Sequence, residues 1–312
     1  MRADVLLCSG LAPVARTCGH PRIAYQIYRA TRNRRGRAPI VFIRGLGMTM
    51  ADSHNFATVL ATASGVPVVT FDHLGFGGSS VPKASWGAGT VEGMADDCLA
   101  VADAACRDLS ADRFALFGVS MGGYIAMTAT LHRQARHGLP GVSALVVGCS
   151  HHGGPGMVPI DARYIACMKA QEAITDVHGA RWQAAVREVF SRNFTPRFVS
   201  ESPRFEPLLA AYTASCHVDS RVGLAYQKEA VARFYTHGMR SSLSHIQVPT
   251  LVVSGDADAI VPVDNSHLLH ACIRGSELAI LPEGGHMFWE MSPDLTAEHI
   301  VSFLSASALS AP

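Results

Sequence analysis

The chain has 312 residues, of which 48% are hydrophobic and 16% are charged. This apolar-rich composition excludes a disordered chain, and the length is sufficient for a folded core without disulfide support. Lysine and arginine together number 26 and aspartate and glutamate 25, so the net charge of +1 gives no electrostatic sign of a nucleic-acid or anionic-membrane partner.

The N-terminal residues 1–7 contain an acidic residue and only a very short apolar stretch, which does not favour a signal peptide. No apolar run further along the chain reaches the roughly 18 residues that a membrane helix needs. The eight cysteines are scattered without a C-x-x-C pair, a pattern typical of buried thiols rather than of a disulfide framework or a zinc site. These features predict a cytoplasmic protein without a membrane span or a bound metal.

Short apolar runs rich in β-branched residues recur along the chain and predict buried strands. They lie at residues 39–43, 66–71, 114–117, 144–147, 250–253 and 278–281. Between them, apolar residues recur every three to four positions, which predicts amphipathic helices at residues 91–109 and from Ser120 to about His137. Gly138 follows the second helix as a C-terminal stop. The alternation predicts an α/β fold, with a mostly parallel central sheet covered by helices on both faces.

The alternation breaks at residues 151–245, where helical patterns occur without a convincing strand. These patterns lie at residues 164–174, 180–190, 207–214 and 224–235. We therefore predict a helical cap subdomain at 151–245, inserted into a core formed by residues 1–150 and 246–312. The cap is rich in aromatic residues, which either pack its own small core or line an apolar ligand pocket.

A single G-x-S-x-G motif, residues 118–122, stands where a predicted strand ends and a predicted helix begins. So sharp a turn holds Ser120 in an unfavourable backbone conformation and raises its hydroxyl above the carboxyl edge of the sheet. Small residues are needed on either side because the helix and the strand approach closely there. The motif predicts that Ser120 is a nucleophile beside a helix N-terminus, which favours a negative charge.

A serine nucleophile needs a base that an acid orients. Asp256 and Asp258 follow the predicted strand at 250–253, and His286 follows the last predicted strand. Both segments are loops at the carboxyl ends of strands, on the same side of the sheet as Ser120, and the chain order Ser–Asp–His is the one expected on this scaffold. His286 is therefore the predicted base, and the spacing leaves the acid open between the two aspartates.

Several segments together resemble the α/β-hydrolase superfamily, in the branch with a helical cap that includes esterases, lipases, enol-lactonases, carbon–carbon bond hydrolases and iminopeptidases. Residues 71–80 resemble the D-x-x-G-x-G-x-S loop after the family's fourth strand, and Asp97 resembles the acid that precedes its serine turn. Gly285 and His286 resemble the segment around the family's catalytic histidine. The family's acid stands three residues after a glycine, which selects Asp258. The resemblance therefore implies an α/β-hydrolase fold and a Ser120–His286–Asp258 triad.

The sequence departs from the family at Arg44, because the family usually has histidine before the glycine that follows its third strand. Backbone donors do not depend on that side chain, so the resemblance still implies an oxyanion hole formed by the N–H groups of Leu46 and Met121. Arg44 either pairs with a carboxylate in a structural role or faces the pocket and favours anionic substrates. The residues predicted for the substrate pocket are Arg44, Gly45, Trp182 and Met287.

The resemblance implies an acyl-enzyme mechanism that needs no cofactor and no metal. We predict a serine hydrolase that cleaves a carboxylic ester of a small to medium, largely apolar substrate. The same residues also suit an iminopeptidase, a lactone or carbon–carbon bond hydrolase, an acyltransferase or a haloperoxidase-like enzyme. A different class is a non-catalytic receptor that keeps a hydrolase shell. The predicted partner is a small molecule, with no nucleic acid, and the oligomeric state is open between monomer and homodimer.

Overall fold

The computed structural model of the protein describes residues 5–14, 20–31, 38–136, 138–177, 179–215 and 221–309. In these ranges eight strands form one sheet, in the order β1-β2-β4-β3-β5-β6-β7-β8. The strands are β1 (Val5–Pro13), β2 (Arg22–Ala30), β3 (Ile40–Ile43), β4 (Val68–Phe71), β5 (Arg113–Val119), β6 (Gly141–Gly148), β7 (Thr250–Gly255) and β8 (Glu277–Leu281). β2 is antiparallel to β1 and to β4, and the other neighbouring pairs are parallel.

All six predicted strands are present, as β3 to β8, and the predicted fold class is confirmed. β3 and β4 are buried along their whole length, which is why they read as continuous apolar runs. The sheet's own side chains pack closely, as between the rings of Phe42 and Phe117, whose centroids are 4.7 Å apart. The sequence patterns do not predict β1 and β2.

Helices cover both faces of the sheet. On one face α2 (Val91–Leu109) packs against α3 (Met121–Gln134), with α9 (Asp264–Cys272) nearby. On the other face α1 (His54–Ser64) packs against α11 (Pro293–Leu309), which follows the short α10 (Phe288–Met291). The predicted helix at 91–109 has the observed bounds of α2, because the Thr90 hydroxyl accepts the Gly93 N–H at 3.0 Å and caps the helix. The predicted end near His137 lies outside the described residues, and α3 ends at Gln134.

Between β6 and β7 the described residues form helices and no strand. The helices are α4 (Ala162–Glu172), α5 (Ala180–Ser191), α6 (Pro196–Glu201), α7 (Phe205–Ser215) and α8 (Arg221–His237). The short α6 is not predicted by the sequence patterns, although Thr195 caps it and Pro196 opens it. Aromatic residues of this segment pack together, as in the stacked rings of Phe190 and Tyr212 at 4.7 Å. The assignment of this segment as a separate cap stays a prediction.

Within the described ranges, every helix is too short or too polar to cross a bilayer. The six cysteines in these ranges are free thiols. Three of them, Cys98, Cys106 and Cys149, are buried, as predicted, whereas Cys8 is exposed and the other two are half-buried. Cys18 and Cys216 lie outside the described residues.

Candidate active site

Ser120 stands at the turn between β5 and α3, with a φ of 55° and a ψ of −121°. A Cβ at Gly118 would collide with the Gly122 carbonyl, and a Cβ at Gly122 would collide with the Ile43 carbonyl of β3. The close approach of the strand and the helix therefore explains both glycines of the motif. The Ser120 carbonyl accepts the Ser150 hydroxyl at 2.8 Å and the Gly123 N–H at 2.9 Å. These bonds help to hold the serine in its strained conformation.

The structure brings Asp258, and not Asp256, to His286. The Nδ1 atom of His286 lies 2.7 Å from Oδ2 of Asp258, and the aspartate side chain is fully buried. Its other oxygen, Oδ1, accepts the N–H groups of Ile260 at 2.8 Å and Val261 at 2.9 Å. Asp256 is exposed in the same loop. The bond to Asp258 places the Nδ1 proton between the two side chains and leaves Nε2 of the neutral imidazole as an acceptor.

The ionisation of His286 is controlled by two opposing effects. Burial disfavours the imidazolium, but the negative charge and the hydrogen bond of Asp258, together with the neighbouring Cys149, favour it more strongly, so the pKa of His286 is raised well above its usual value. The thiol of Cys149 lies beside this pair, and burial raises the pKa of that thiol, which keeps it neutral.

Cys149 is a site residue that the sequence reasoning missed. It directly follows β6 and is a non-glycine residue with positive φ, 39°. Three donor atoms lie within 4.8 Å of one another here: the Cys149 Sγ, a carboxylate oxygen of Asp258 and a ring nitrogen of His286. Among the described residues, this is the group of side chains that could hold a metal ion. Because Asp258 and His286 are already hydrogen-bonded to each other, a metal would have to displace that bond. The signal that could have found Cys149 is its position after a predicted strand, at the carboxyl edge of the sheet.

Ser120 and His286 line the same cavity, which has a volume of about 520 Å³. Gly45, Leu46, Met121 and Met287, all predicted for the oxyanion hole or the pocket, line it too. A Cβ on Gly45 would lie 3.3 Å from the Ser120 Cβ and 3.7 Å from its Oγ, so the backbone at residue 45 lies directly against the serine. Most of the remaining lining is apolar and includes Met48, Ile160, Ile165, Met168, Val231, Ile260, Val261 and Trp289.

Trp182 lines a second cavity, of about 450 Å³, instead of the one that holds Ser120. The two cavities share Leu46, Tyr164 and Met168, so they adjoin each other. Trp182 stands on α5, whose position relative to the serine depends on how the helices pack. Spacing along the sequence could not separate the two cavities.

Arg44 is buried, at 1% exposure, and it is absent from the described residues that line the Ser120 cavity. Burial lowers the pKa of its guanidinium, and the carboxylates of Asp52 and Glu290 counteract this. The guanidinium also lies 5.3 Å from the centre of the Phe42 ring. These surroundings favour the structural alternative for Arg44 over a role in binding anionic substrates.

Replacing Glu290 by glutamine is expected to lower the free energy of unfolding by about 3 kcal/mol, because the buried Arg44 charge loses one of its compensating carboxylates. Chemical denaturation followed by circular dichroism measures this change. Glu277→Gln, at an exposed position in β8, is the matched control and should leave the denaturation midpoint unchanged. Equal midpoints for the two variants would show that Glu290 does not stabilise Arg44.

A mostly parallel sheet that presents a serine on the turn between β5 and α3 is the arrangement of an α/β-hydrolase, and this is the class that the fold defines. The chain belongs to the serine aminopeptidase family S33, whose family model matches residues 34–290. The predicted membership of the α/β-hydrolase superfamily is therefore confirmed, and the protein is a hydrolase.

Known proteins with similar sequences and folds carry different activities in their names. The relative named "Putative carbamate hydrolase RutD", of Rhizobium rhizogenes, is 27% identical over 278 residues, which is 86% of this chain and 92% of the relative. The structure of "Est816 as an N-Acyl homoserine lactone degrading enzyme" is 25% identical, with a TM-score of 0.68 over 93% of this chain and 99% of that one. The 2-hydroxy-6-oxo-6-phenylhexa-2,4-dienoate hydrolase of Rhodococcus, at 17% identity and a TM-score of 0.74, covers 97% of this chain and 100% of its own and shares the fold.

Proposed function

We propose that the protein is a serine hydrolase that cleaves carboxylic esters of small to medium, largely apolar substrates. In this proposal Ser120 is the nucleophile, His286 is the general base and Asp258 orients the histidine. The observation that carries it is that Ser120 and His286 line one largely apolar cavity, while the buried Asp258 holds Nδ1 of the histidine at 2.7 Å. This leaves the opposite ring nitrogen, Nε2, to accept a proton.

The first half of the reaction forms an acyl-enzyme. Nε2 of His286 takes the proton of the Ser120 hydroxyl while Oγ attacks the carbonyl carbon of the ester. The negative charge that develops on the carbonyl oxygen is held by the N–H groups of Leu46 and Met121. Met121 is the first residue of α3, where backbone N–H groups have no partner within the helix. Each donor of this kind typically stabilises a transition state by about 3 kcal/mol.

The second half of the reaction releases the product acid. His286, now an imidazolium, gives its proton to the leaving alcohol as the bond between the carbonyl carbon and the alcohol oxygen breaks. Water then enters, gives a proton to the same Nε2 and attacks the acyl carbon. Collapse of this second intermediate breaks the bond to Ser120, and the serine regains its proton. Throughout, the Asp258 carboxylate stabilises the positive charge on the imidazolium.

The charges along the cavity favour an ester over a peptide with a free amine. Glu172 is the one carboxylate among the described residues that line the Ser120 cavity, and it forms an ion pair with Lys228. Recognition of a substrate ammonium would need a carboxylate that is not already paired. An aminopeptidase or iminopeptidase activity is therefore less well supported by the cavity than ester hydrolysis.

A carbamate is the second candidate substrate class, and the relatives named for carbamate hydrolysis favour it. A carbamate presents the same carbonyl carbon to Ser120 and the same oxygen to Leu46 and Met121. It differs in the nitrogen attached to that carbonyl, which makes the carbon less electrophilic. Parallel assays on matched esters and carbamates therefore distinguish the two candidates.

Labelling with a fluorophosphonate probe, followed by mass mapping of the labelled peptide, tests the proposed nucleophile. We expect the probe to modify Ser120 and to abolish the hydrolysis of p-nitrophenyl esters. Purified protein would then be tested on p-nitrophenyl esters of graded acyl length, matched carbamates and aminoacyl amides. Absence of both labelling and turnover would support the non-catalytic receptor instead. Faster cleavage of the carbamate than of its matched ester would favour the second candidate.

The rate of ester cleavage is expected to rise with pH, with the midpoint of kcat/KM above pH 6.5, the usual pKa of histidine. Only neutral His286 can accept the serine proton, and Asp258 raises the pKa of the imidazole, so acid removes activity as pH falls through that raised value. Measuring kcat/KM between about pH 5 and pH 9 checks this, with circular dichroism at each pH as the control for folding. A plateau already reached at pH 6 would contradict it.

A further inference from the structure

One wall of the Ser120 cavity is polar. It consists of Tyr124, His151, Tyr164 and Tyr235, which we call the polar wall. Tyr124 belongs to α3, His151 follows β6, and the other two residues stand on α4 and α8. The ring of His151 lies 5.4 Å from that of Tyr124 and 4.9 Å from that of Tyr235, measured between centroids, so these three rings are neighbours, and Tyr164 lines the same cavity.

His151 is a hydrogen-bond donor with a fixed tautomer. Its Nδ1 accepts the N–H of Gly153 at 3.1 Å, so the proton of the neutral ring is on Nε2. Burial, together with the nearby His152 and His286, lowers the pKa of His151 to about 3, which keeps the ring neutral at physiological pH. No hydrogen bond between described residues uses Nε2, although the residue is only 3% exposed.

The three tyrosines add neutral hydroxyl groups to the same wall. Burial raises the pKa of Tyr164 to about 12, and it raises the pKa of Tyr124 and of Tyr235 further, so all three hydroxyls keep their protons. In the described part of the chain none of these hydroxyls is used in a hydrogen bond to another residue. Polar groups in an enclosed, mostly apolar space are normally satisfied by water or by a ligand.

The charged residues that line the cavity are not part of the polar wall. Glu172 and Lys228 form an ion pair with each other, and Lys169 is exposed at the rim. A carboxylate bound at the wall would lose its hydration, which is costly, and Lys169, the lining cation outside that ion pair, is exposed to solvent. A neutral oxygen atom needs only the donors that the wall offers.

We propose that the polar wall recognises a second, uncharged oxygen atom of the substrate, in addition to the ester that is cleaved. The substrate class is then an ester with a keto, hydroxyl or ether group in its acyl chain or in its alcohol. This inference rests on the proposed function, because it assumes that Ser120 attacks a substrate bound in this cavity. His151 and the three tyrosines are substrate-recognising residues and take no part in bond cleavage.

The test compares substrates of equal length. p-Nitrophenyl hexanoate is assayed beside p-nitrophenyl esters in which one methylene of the acyl chain beyond the α carbon, at each position in turn, is replaced by an ether oxygen or a ketone. Esters of p-nitrobenzoic acid with matched alcohols place the additional ether or keto oxygen in the alcohol part of the ester instead of in the acyl part. The series also includes an ester whose acyl chain ends in a carboxylate. The measured quantity is the ratio of kcat/KM for each oxygenated ester to that for its alkyl counterpart.

We expect at least one uncharged oxygenated ester to be preferred about tenfold, and the carboxylate member to be disfavoured. His151→Phe and Tyr235→Phe should each lower that ratio about fivefold. The phenylalanine at 151 leaves the Gly153 N–H without an acceptor, so Tyr235→Phe, which removes one hydroxyl, is the cleaner variant. Tyr25→Phe is the matched control, because its hydroxyl bonds Asp108 outside the cavity and its loss should leave the ratio unchanged.

The proposal is overturned if no oxygenated ester is preferred, if the carboxylate is preferred, or if the preference survives Phe substitution of all four wall residues. Equilibrium binding of a non-cleavable dialkyl ketone and of the matching hydrocarbon, followed by the intrinsic tryptophan fluorescence, to which the cavity-lining Trp289 contributes, tests the wall without turnover. Preferential ketone binding that Tyr235→Phe removes, in a protein that neither labels nor cleaves, would support the wall and refute the proposed function. Cleavage of esters without any preference for oxygenated substrates would support the proposed function and refute the role of the polar wall.

Discussion

Replacing Ser120 by alanine is expected to lower kcat/KM on p-nitrophenyl esters by about four to six orders of magnitude. Without the Oγ atom no acyl-enzyme can form. The remaining rate would come from water that is activated by His286 and from the N–H groups proposed for the oxyanion hole. Steady-state kinetics on the purified variant, together with loss of fluorophosphonate labelling, measures the effect.

The matched control is Ser143→Ala. Ser143 lies near the start of β6, at the opposite edge of the sheet, where its hydroxyl donates to the Phe114 carbonyl at 3.0 Å. This variant should keep its activity and its labelling, and circular dichroism should show that both variants are folded. Wild-type rates in Ser120→Ala would refute the assignment of the nucleophile.

Replacing Asp258 by asparagine is expected to lower kcat by about four orders of magnitude with little change in fold. The asparagine oxygen can still accept the N–H groups of Ile260 and Val261, as Oδ1 of Asp258 does. The amide nitrogen, however, replaces the acceptor of the His286 Nδ1 proton with a donor. The imidazole is then driven into the tautomer with its proton on Nε2, where it cannot act as a base towards Ser120.

Asp256→Asn is a stringent control for this prediction, because the same chemical change is made two residues earlier in the same loop. Asp256 is exposed, and its side chain is not bonded to His286. We expect its kcat to stay within about twofold of the wild-type value. A larger loss in Asp256→Asn than in Asp258→Asn would mean that the acid has been assigned to the wrong aspartate.

The strands of the core could be predicted from the sequence where burial on both faces produces an unbroken apolar run, as in β3 and β4. β1 does not fit this pattern because it lies at the edge of the sheet and exposes apolar residues such as Leu6 and Leu11. β2 is interrupted by Gln26 and Arg29, which are only half-buried. Both strands are antiparallel additions to a parallel sheet, and their pairing depends on contacts between distant segments.

Candidate site residues could be predicted where they stand directly after a predicted strand. The patterns place Ser120, Asp258 and His286 in such turns, and the structure joins the last two by a hydrogen bond. Spacing alone left Asp256 and Asp258 open, because two residues of one loop cannot be ranked without the direction of each side chain. The cavity wall was not predictable, because Tyr164 and Tyr235 reach it only through the packing of α4 and α8.

Two of the residues proposed for substrate choice, Tyr164 and Tyr235, come from a different part of the chain than the residues proposed for bond cleavage. Ser120, Asp258 and His286 stand on turns that follow β5, β7 and β8, whereas Tyr164 and Tyr235 stand on the helices between β6 and β7. A mutation on those helices can leave the strand register and the histidine hydrogen bond intact. Related proteins can therefore change their substrate specificity while they keep the same reaction. For directed evolution, libraries restricted to α4 and α8 would explore new specificities at little risk to the chemistry.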